Sequence, residues 1–93
     1  MTTLHTVNNL KSMTSCRSFL RQGDALLFIE DGVYCCIDVN LPKLLSEQVI
    51  FLALEDDIKA RGLEMKIISE VKKITFNDFV ALCCEHDKSV SWF

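Results

Sequence analysis

Five cysteines, Cys16, Cys35, Cys36, Cys83 and Cys84, and two histidines, His5 and His86, are the residues of this 93-residue chain best suited to chemistry. Sulfur transfer needs a thiolate, and a neighbouring cation favours one. Cys16 lies between Ser15 and Arg17, with Arg21 a helical turn further on. It is therefore the candidate catalytic residue, a persulfide carrier, against the competing reading of a buried helix cysteine. Cys35 and Cys36 follow Gly32 at a helix start, where the dipole lowers a thiol pKa, but Glu30 and Asp31 oppose that effect. Packing as small apolar residues is the better reading for this pair, and Cys83 and Cys84 are read the same way.

Cys83 and His86 have a three-residue spacing that could share a metal. A structural zinc site asks for four ligands, and no second pair spaced as C-x-x-C or H-x-x-x-H supplies them. No metal and no cofactor are assigned. His5 stands alone and reads as a hydrogen-bonded structural histidine. Neither GxGxxG nor GxxxxGK[ST] occurs. The acidic clusters Glu30-Asp31 and Glu55-Asp56-Asp57 would repel a nucleotide phosphate and suit helix N-termini. A nucleotide-binding module thus has only the fold class behind it.

The elements that must position these residues alternate. Leu4–Val7 reads as a strand and Leu10–Arg21 as a helix, with Leu10, Met13, Arg17 and Leu20 three or four apart and Gly23 as the stop. Ala25–Ile29 and Val49–Leu54 are unbroken apolar runs, expected of strands covered on both faces. Between them, Val33–Val39 reads as a short helix with Asp31 as its N-cap, Asn40–Pro42 as a break, and Lys43–Gln48 as unassigned. Glu55–Arg61 is a helix ending at Gly62, Met65–Ser69 is irregular, and Val71–Ile74 is a strand. Thr75 caps a helix over Phe76–Glu85 with Asp78 three residues on. Val90–Phe93 is an apolar tail, available as a further strand. The pattern predicts an α/β fold: one domain spanning residues 1–93, with a small, mostly parallel sheet of four strands, or five with the tail, flanked by helices.

Composition bounds the partners. Ten basic residues against 13 acidic ones give a net charge of −3 and no basic cluster for phosphates, so no direct nucleic-acid contact is expected. No apolar run approaches the roughly 18 residues of a membrane span. No secretory signal is visible, and five cysteines in two adjacent pairs plus one make a poor disulfide framework. These features predict reduced thiols in the cytoplasm. A hydrophobic content of 49% is high for so small a chain, and the excess predicts exposed apolar surface and a protein partner. Trp92 and Phe93 are the interface candidates.

Several segments resemble one family in order and spacing. They are Leu4-His5-Thr6-Val7-Asn8, the stretch from Gly23 to Tyr34 around Leu-Leu-Phe-Ile-Glu-Asp-Gly, Leu54 to Gly62, Thr75 to Val80, Glu85-His86-Asp87 and Ser91-Trp92-Phe93. Together they are similar to the TusB/DsrH family of small sulfur-relay subunits, nearly end to end. The resemblance implies a DsrE/F/H-type fold and a heterohexamer with two copies each of this chain and of TusC-like and TusD-like subunits. It implies indirect links to TusA, which donates persulfide sulfur, and TusE, which receives it. The sulfur then ends as the 2-thio group of wobble uridine in tRNA. The relay's principal cysteine belongs to the TusD-like subunit, so this chain is expected to be an accessory, non-catalytic subunit. The alternative is a DsrH-type subunit of sulfur oxidation with Cys16 as carrier, because some members place a cysteine in the first helix. The segment from Asn8 to Cys16 is shorter than the family's usual.

Overall fold

The computed structural model describes residues 2–44 and 48–93. Five strands, β1 (Thr3–Val7), β2 (Ala25–Phe28), β3 (Ile50–Leu54), β4 (Val71–Ile74) and β5 (Lys88–Trp92), form one sheet in the order β4-β3-β2-β1-β5. Every pairing is parallel. The apolar tail is therefore a fifth strand, added beside β1 at the edge of the sheet.

That strand order dictates the layers. From β1 to β4 the chain steps one way across the sheet, so right-handed crossovers keep its connections on one face. The last crossover runs back to the opposite edge, which puts its helix on the other face. The packing agrees. Val7, Leu26, Phe28, Phe51 and Val71 pack with Met13, Cys16, Val33 and Ile58 of the connections on one side. Leu4, Ala25, Leu27, Leu52 and Ile74 pack with Phe79 and Leu82 of the last helix on the other. Leu26, Leu27 and Phe28 have no exposed surface, each contributing about 1.5–3 kcal/mol by its burial. This double covering is why β2 shows no polar alternation.

Three α-helices form: α1 (Leu10–Cys16), α2 (Glu55–Ala60) and α3 (Phe76–Glu85). Asn9 caps α1 by accepting from the Ser12 N–H at 2.7 Å. The expected helix to Arg21 is cut short, and Arg17–Phe19 continues as a 3₁₀ turn. Two causes are visible. Thr14 and Ser15 turn their hydroxyls back onto the Leu10 and Lys11 carbonyls, which weakens the helical ladder. The Arg21 N–H is also taken by the Asp24 carboxylate instead of a helical carbonyl. The expected helix over Val33–Val39 is instead a 3₁₀ segment over Glu30–Ile37. Asp31 does not cap it; its carboxylate binds Arg61 Nε at 2.9 Å.

The capping box of α3 is present, with Thr75 accepting from the Asp78 N–H and Asp78 accepting from the Thr75 N–H. Those bonds hold the Asp78 carboxyl below the usual carboxylate range. Met65–Ser69 is turn and irregular chain, as its pattern suggests. The sequence assigns no element to Lys43–Gln48. Leu41–Leu44 closes as a single 3₁₀ turn, and residues 45–47 lie outside the described residues. No helix is long and apolar enough to cross a membrane among the described residues.

Gly32 is where the first two strands come closest to the chain that follows them. A Cβ there would collide with the Val7 carbonyl oxygen and sit 3.1 Å from its carbon and 3.3 Å from Asn8 Cα. All three are backbone atoms of the β1 end, which the Ile29 N–H also binds at 3.0 Å through the Val7 carbonyl. A Gly32→Ala variant should lose about 2–4 kcal/mol of stability, read from its urea midpoint. A midpoint within error of the parent would show that this contact yields freely.

Candidate functional site

The polar centre of the fold lies where β1 meets β5. Asp24 precedes β2 and is almost fully buried. Its Oδ1 accepts the Thr3 N–H at 2.9 Å. Its Oδ2 accepts the Arg21 N–H at 3.0 Å and lies 3.0 Å from His5 Nε2. Burial is the largest influence on this carboxyl and pushes it upward, but the hydrogen bonds from Thr3, Arg21 and His5 together outweigh it. The pKa is held below its ordinary value of 3.8.

His5, also buried, uses both ring nitrogens. The Trp92 Nε1–H donates to His5 Nδ1 at 3.1 Å. An indole N–H can only donate, so Nδ1 accepts, and Nε2 carries the proton that bonds Asp24. The indole stacks near the imidazole, with centroids 6.2 Å apart, and meets the Phe19 ring at 5.2 Å. His5 is thus the structural histidine its isolation suggests.

Two open clefts flank Trp92. One, of about 570 Å³, is bordered by His5, Asp24, Phe19, Arg21 and Lys88. The other, of about 510 Å³, lies at the carboxyl ends of β1 and β5 and is bordered by Asn9, Lys11, Ser15 and Phe93. In parallel sheets the second place, where strand order reverses, is where ligands settle. Neither cleft presents an unengaged acid–base pair, because both nitrogens of His5 and both oxygens of Asp24 are already bonded. The surroundings suit contact with a partner better than proton transfer. Of the two interface candidates, Trp92 is half-buried and Phe93 is 73% exposed.

The thiols are distributed differently from the sequence reading. Cys16 lies at the end of α1 with no exposed surface. Burial pushes its thiol up to about 12, and the Asp24 charge adds to that. Arg17 and Arg21 are exposed, and the charge that acts on Cys16, that of Asp24, is of the opposite sign to the one expected. Burial likewise takes Cys35 to about 11, its own backbone N–H working against the rise and Asp38 with it. Cys36 is raised by burial and by Cys35. These two are packing residues, as expected. Cys83 and Cys84 are not: both are exposed on the outer side of α3. The α3 residues that pack against the sheet are Phe79 and Leu82.

His86 turns back to its own helix, with Nδ1 at 2.9 Å from the Leu82 carbonyl oxygen. Among the described residues no three His, Cys, Asp or Glu side chains gather as a metal site.

The acidic strand ends are absorbed by structure. The Glu30 N–H, at a residue held at φ +49°, donates to Asp57 at 2.7 Å. Arg61 joins Asp31 and Asp57, and Glu55 pairs with Lys59 one turn along α2. This edge is closed by its own ion pairs. The residue that sequence reasoning missed is Asp24. A lone acid after a helix-stopping glycine is the local signal, and beyond the Arg21 N–H its partners stand 19 and 21 positions away.

Comparison with known proteins adds a family. The chain matches the family described as "DsrH like protein" over residues 6–89. It is 34% identical to "Protein TusB" of Shigella flexneri over 94 aligned positions, covering 96% of this chain and 99% of that protein. The same identity and coverage hold for "Protein TusB" of Escherichia coli O81 (strain ED1a) and of Escherichia coli O6:K15:H31 (strain 536 / UPEC).

The geometry makes two predictions. The Asp24 carboxyl has a lower pKa folded than unfolded, so its stabilisation is complete above the unfolded value and vanishes as pH falls through the folded one. Urea unfolding should show the parent losing stability between about pH 5 and pH 2 more steeply than Asp24→Asn. Near neutrality the variant should already be weaker by about 2 kcal/mol; parallel pH curves would sink the assignment. Separately, maleimide labelling of the native chain followed by mass spectrometry should modify Cys83 and Cys84 quickly. Cys16, Cys35 and Cys36 should react only after unfolding, and native labelling of Cys16 would contradict its placement.

Proposed function

The chain belongs to the DsrH family, and from that premise we propose that it is an accessory subunit of a sulfur-transfer complex, contributing surface and no thiol chemistry of its own. The observation that carries the accessory reading is the enclosure of Cys16, the thiol a first-helix carrier would use. Persulfide exchange requires the attacking thiolate to reach the donor sulfur in line. A thiol with no exposed surface, raised by burial and by a neighbouring carboxylate, meets neither condition. The same features weigh against the sulfur-oxidation reading in which Cys16 carries the sulfur.

The relatives carry the name TusB, which favours the branch of the family that serves tRNA. In that reading the complex supports 2-thiolation of wobble uridine in the cytoplasm. The chain assembles there with TusC-like and TusD-like subunits in a heterohexamer, sulfur arriving from TusA and leaving to TusE. What supports an assembled subunit is the apolar surface left outside. Leu10, Phe19, Val39, Ile50, Phe76 and Phe93 are each more than half exposed. Exposed side chains of this size offer a partner apolar surface to cover. The net charge of −3 fits a subunit that meets proteins while another component meets the tRNA.

Deletion of the chain from its host should abolish tRNA 2-thiouridine, measured by mass spectrometry of digested tRNA. Both the parent and Cys16→Ala should restore it, and TusC-like and TusD-like subunits should co-purify with each. Unchanged thiolation on deletion would remove the tRNA role. Failure of a normally melting Cys16→Ala chain to restore thiolation would instead return the carrier role to Cys16.

A further inference from the structure

The two edges of the sheet are not equivalent. β4 presents Lys72 and Lys73 to solvent. Two β4 edges paired about a two-fold axis would set these lysines against one another, the usual way an edge is protected. β5 has no such guard. One of its sides bonds β1, and the other bonds no strand among the described residues. Its five residues, Lys-Ser-Val-Ser-Trp, are exposed at Lys88, Ser89 and Ser91 and half-buried at Val90 and Trp92.

The order of those residues is self-complementary. Laid antiparallel on a second β5 with Val90 at the centre, Val90 meets its own copy, Ser89 meets Ser91, and Lys88 meets Trp92. The register with β1 places Lys88, Val90 and Trp92 on one face, the face of His5 and Val7. Lys88 makes no ion pair among the described residues. In this arrangement its ammonium reaches the indole and Phe19 rings of the other copy, a cation–π pairing repeated twice by symmetry. The two Lys88 residues stay about 13 Å apart along the strands, four residues at ~3.3 Å each, so like charges do not oppose each other. Apolar, hydroxyl and charge–aromatic positions each find a suitable partner.

We propose that the free edge of β5 pairs antiparallel with β5 of a second copy of this chain, about a two-fold axis at Val90, joining the two sheets into one. The contact is isologous and closes at two copies, so it yields a dimer and not a filament. It uses the chain's own edge and needs no other subunit, so it stands apart from the sulfur-relay reading.

Sedimentation of the purified full chain across a range of concentrations tests it. A monomer–dimer equilibrium is expected, with Val90→Lys weakening association roughly tenfold or more while leaving the circular dichroism and melting temperature unchanged. Register is read by crosslinking in a Cys83→Ser, Cys84→Ser background. Val90→Cys should give a disulfide-linked dimer under mild oxidation, because Val90 faces itself. Ser89→Cys should not, because it faces Ser91. A chain that stays monomeric into the hundreds-of-micromolar range, far above what a small specific interface needs, would overturn the proposal. So would a dimer indifferent to Val90→Lys, or crosslinking through Ser89→Cys as readily as through Val90→Cys.

Discussion

The buried Asp24 carboxylate is the interaction on which the site region depends. It ends the first crossover by taking the Arg21 N–H, fixes the start of β1 through Thr3, and orients His5. His5 in turn receives the Trp92 indole. Three stretches of chain far apart in sequence, β1, the turn before β2 and the end of β5, are thereby tied to one charge. A carboxylate this enclosed would be costly alone; its three donors make it tolerable. The consequence reaches Cys16, whose thiol is held protonated partly by the same charge that organises the strands beside it. The polar centre thus builds the edge of the sheet and at the same time quiets the nearest thiol.

The parts of this fold that were legible in the sequence are those set by short-range rules. Apolar runs announced β2 and β3 because both faces of the sheet are covered. Thr75 and Asp78 announced α3 because a capping box is a local device. What escaped was decided by side chains competing for backbone donors and by distant atoms. Helix α1 stops at Cys16 because Asp24 competes for the Arg21 N–H. The segment after β2 tightens into a 3₁₀ form where Gly32 presses on the end of β1 and Asp31 is drawn to Arg61. No window of neighbouring residues contains the Val7 and Arg61 partners of that segment, and although Asp24 stands three residues from Arg21, no local pattern says that its carboxylate turns back. The candidate site divides in the same way. His5 could be read as structural, whereas Asp24, its reason for being so, could not.

The cysteines show how little residue type says without a face. Cys16 and Cys83 both lie in the last turn of a helix of a doubly wound sheet, yet one is enclosed and the other open. Helix α1 is pressed into the crowded face with the 3₁₀ segment Glu30–Ile37, Leu41 and α2. Helix α3 covers the other face alone, through Phe79 and Leu82, and leaves Phe76, Val80, Cys83 and Cys84 outward. The asymmetry follows from strand order: three of the four crossovers share one face. Apolar content is therefore spent unevenly, densely on one side and thinly on the other.

The carboxyl ends of parallel strands usually hold the chemistry, because helix dipoles and loops converge there. In this chain that edge is closed on itself. Asp57 takes the Glu30 N–H, Arg61 holds Asp31 and Asp57, and Gly32 allows the β2 loop to lie against β1. At the point where strand order reverses, the cleft that remains is bordered by serines, Lys11 and two aromatic rings, with no buried charge aimed into it. In this chain Cys16, Cys35 and Cys36 are enclosed, the His5 imidazole is engaged on both nitrogens, and Trp92 and Phe93 supply the rings beside the cleft.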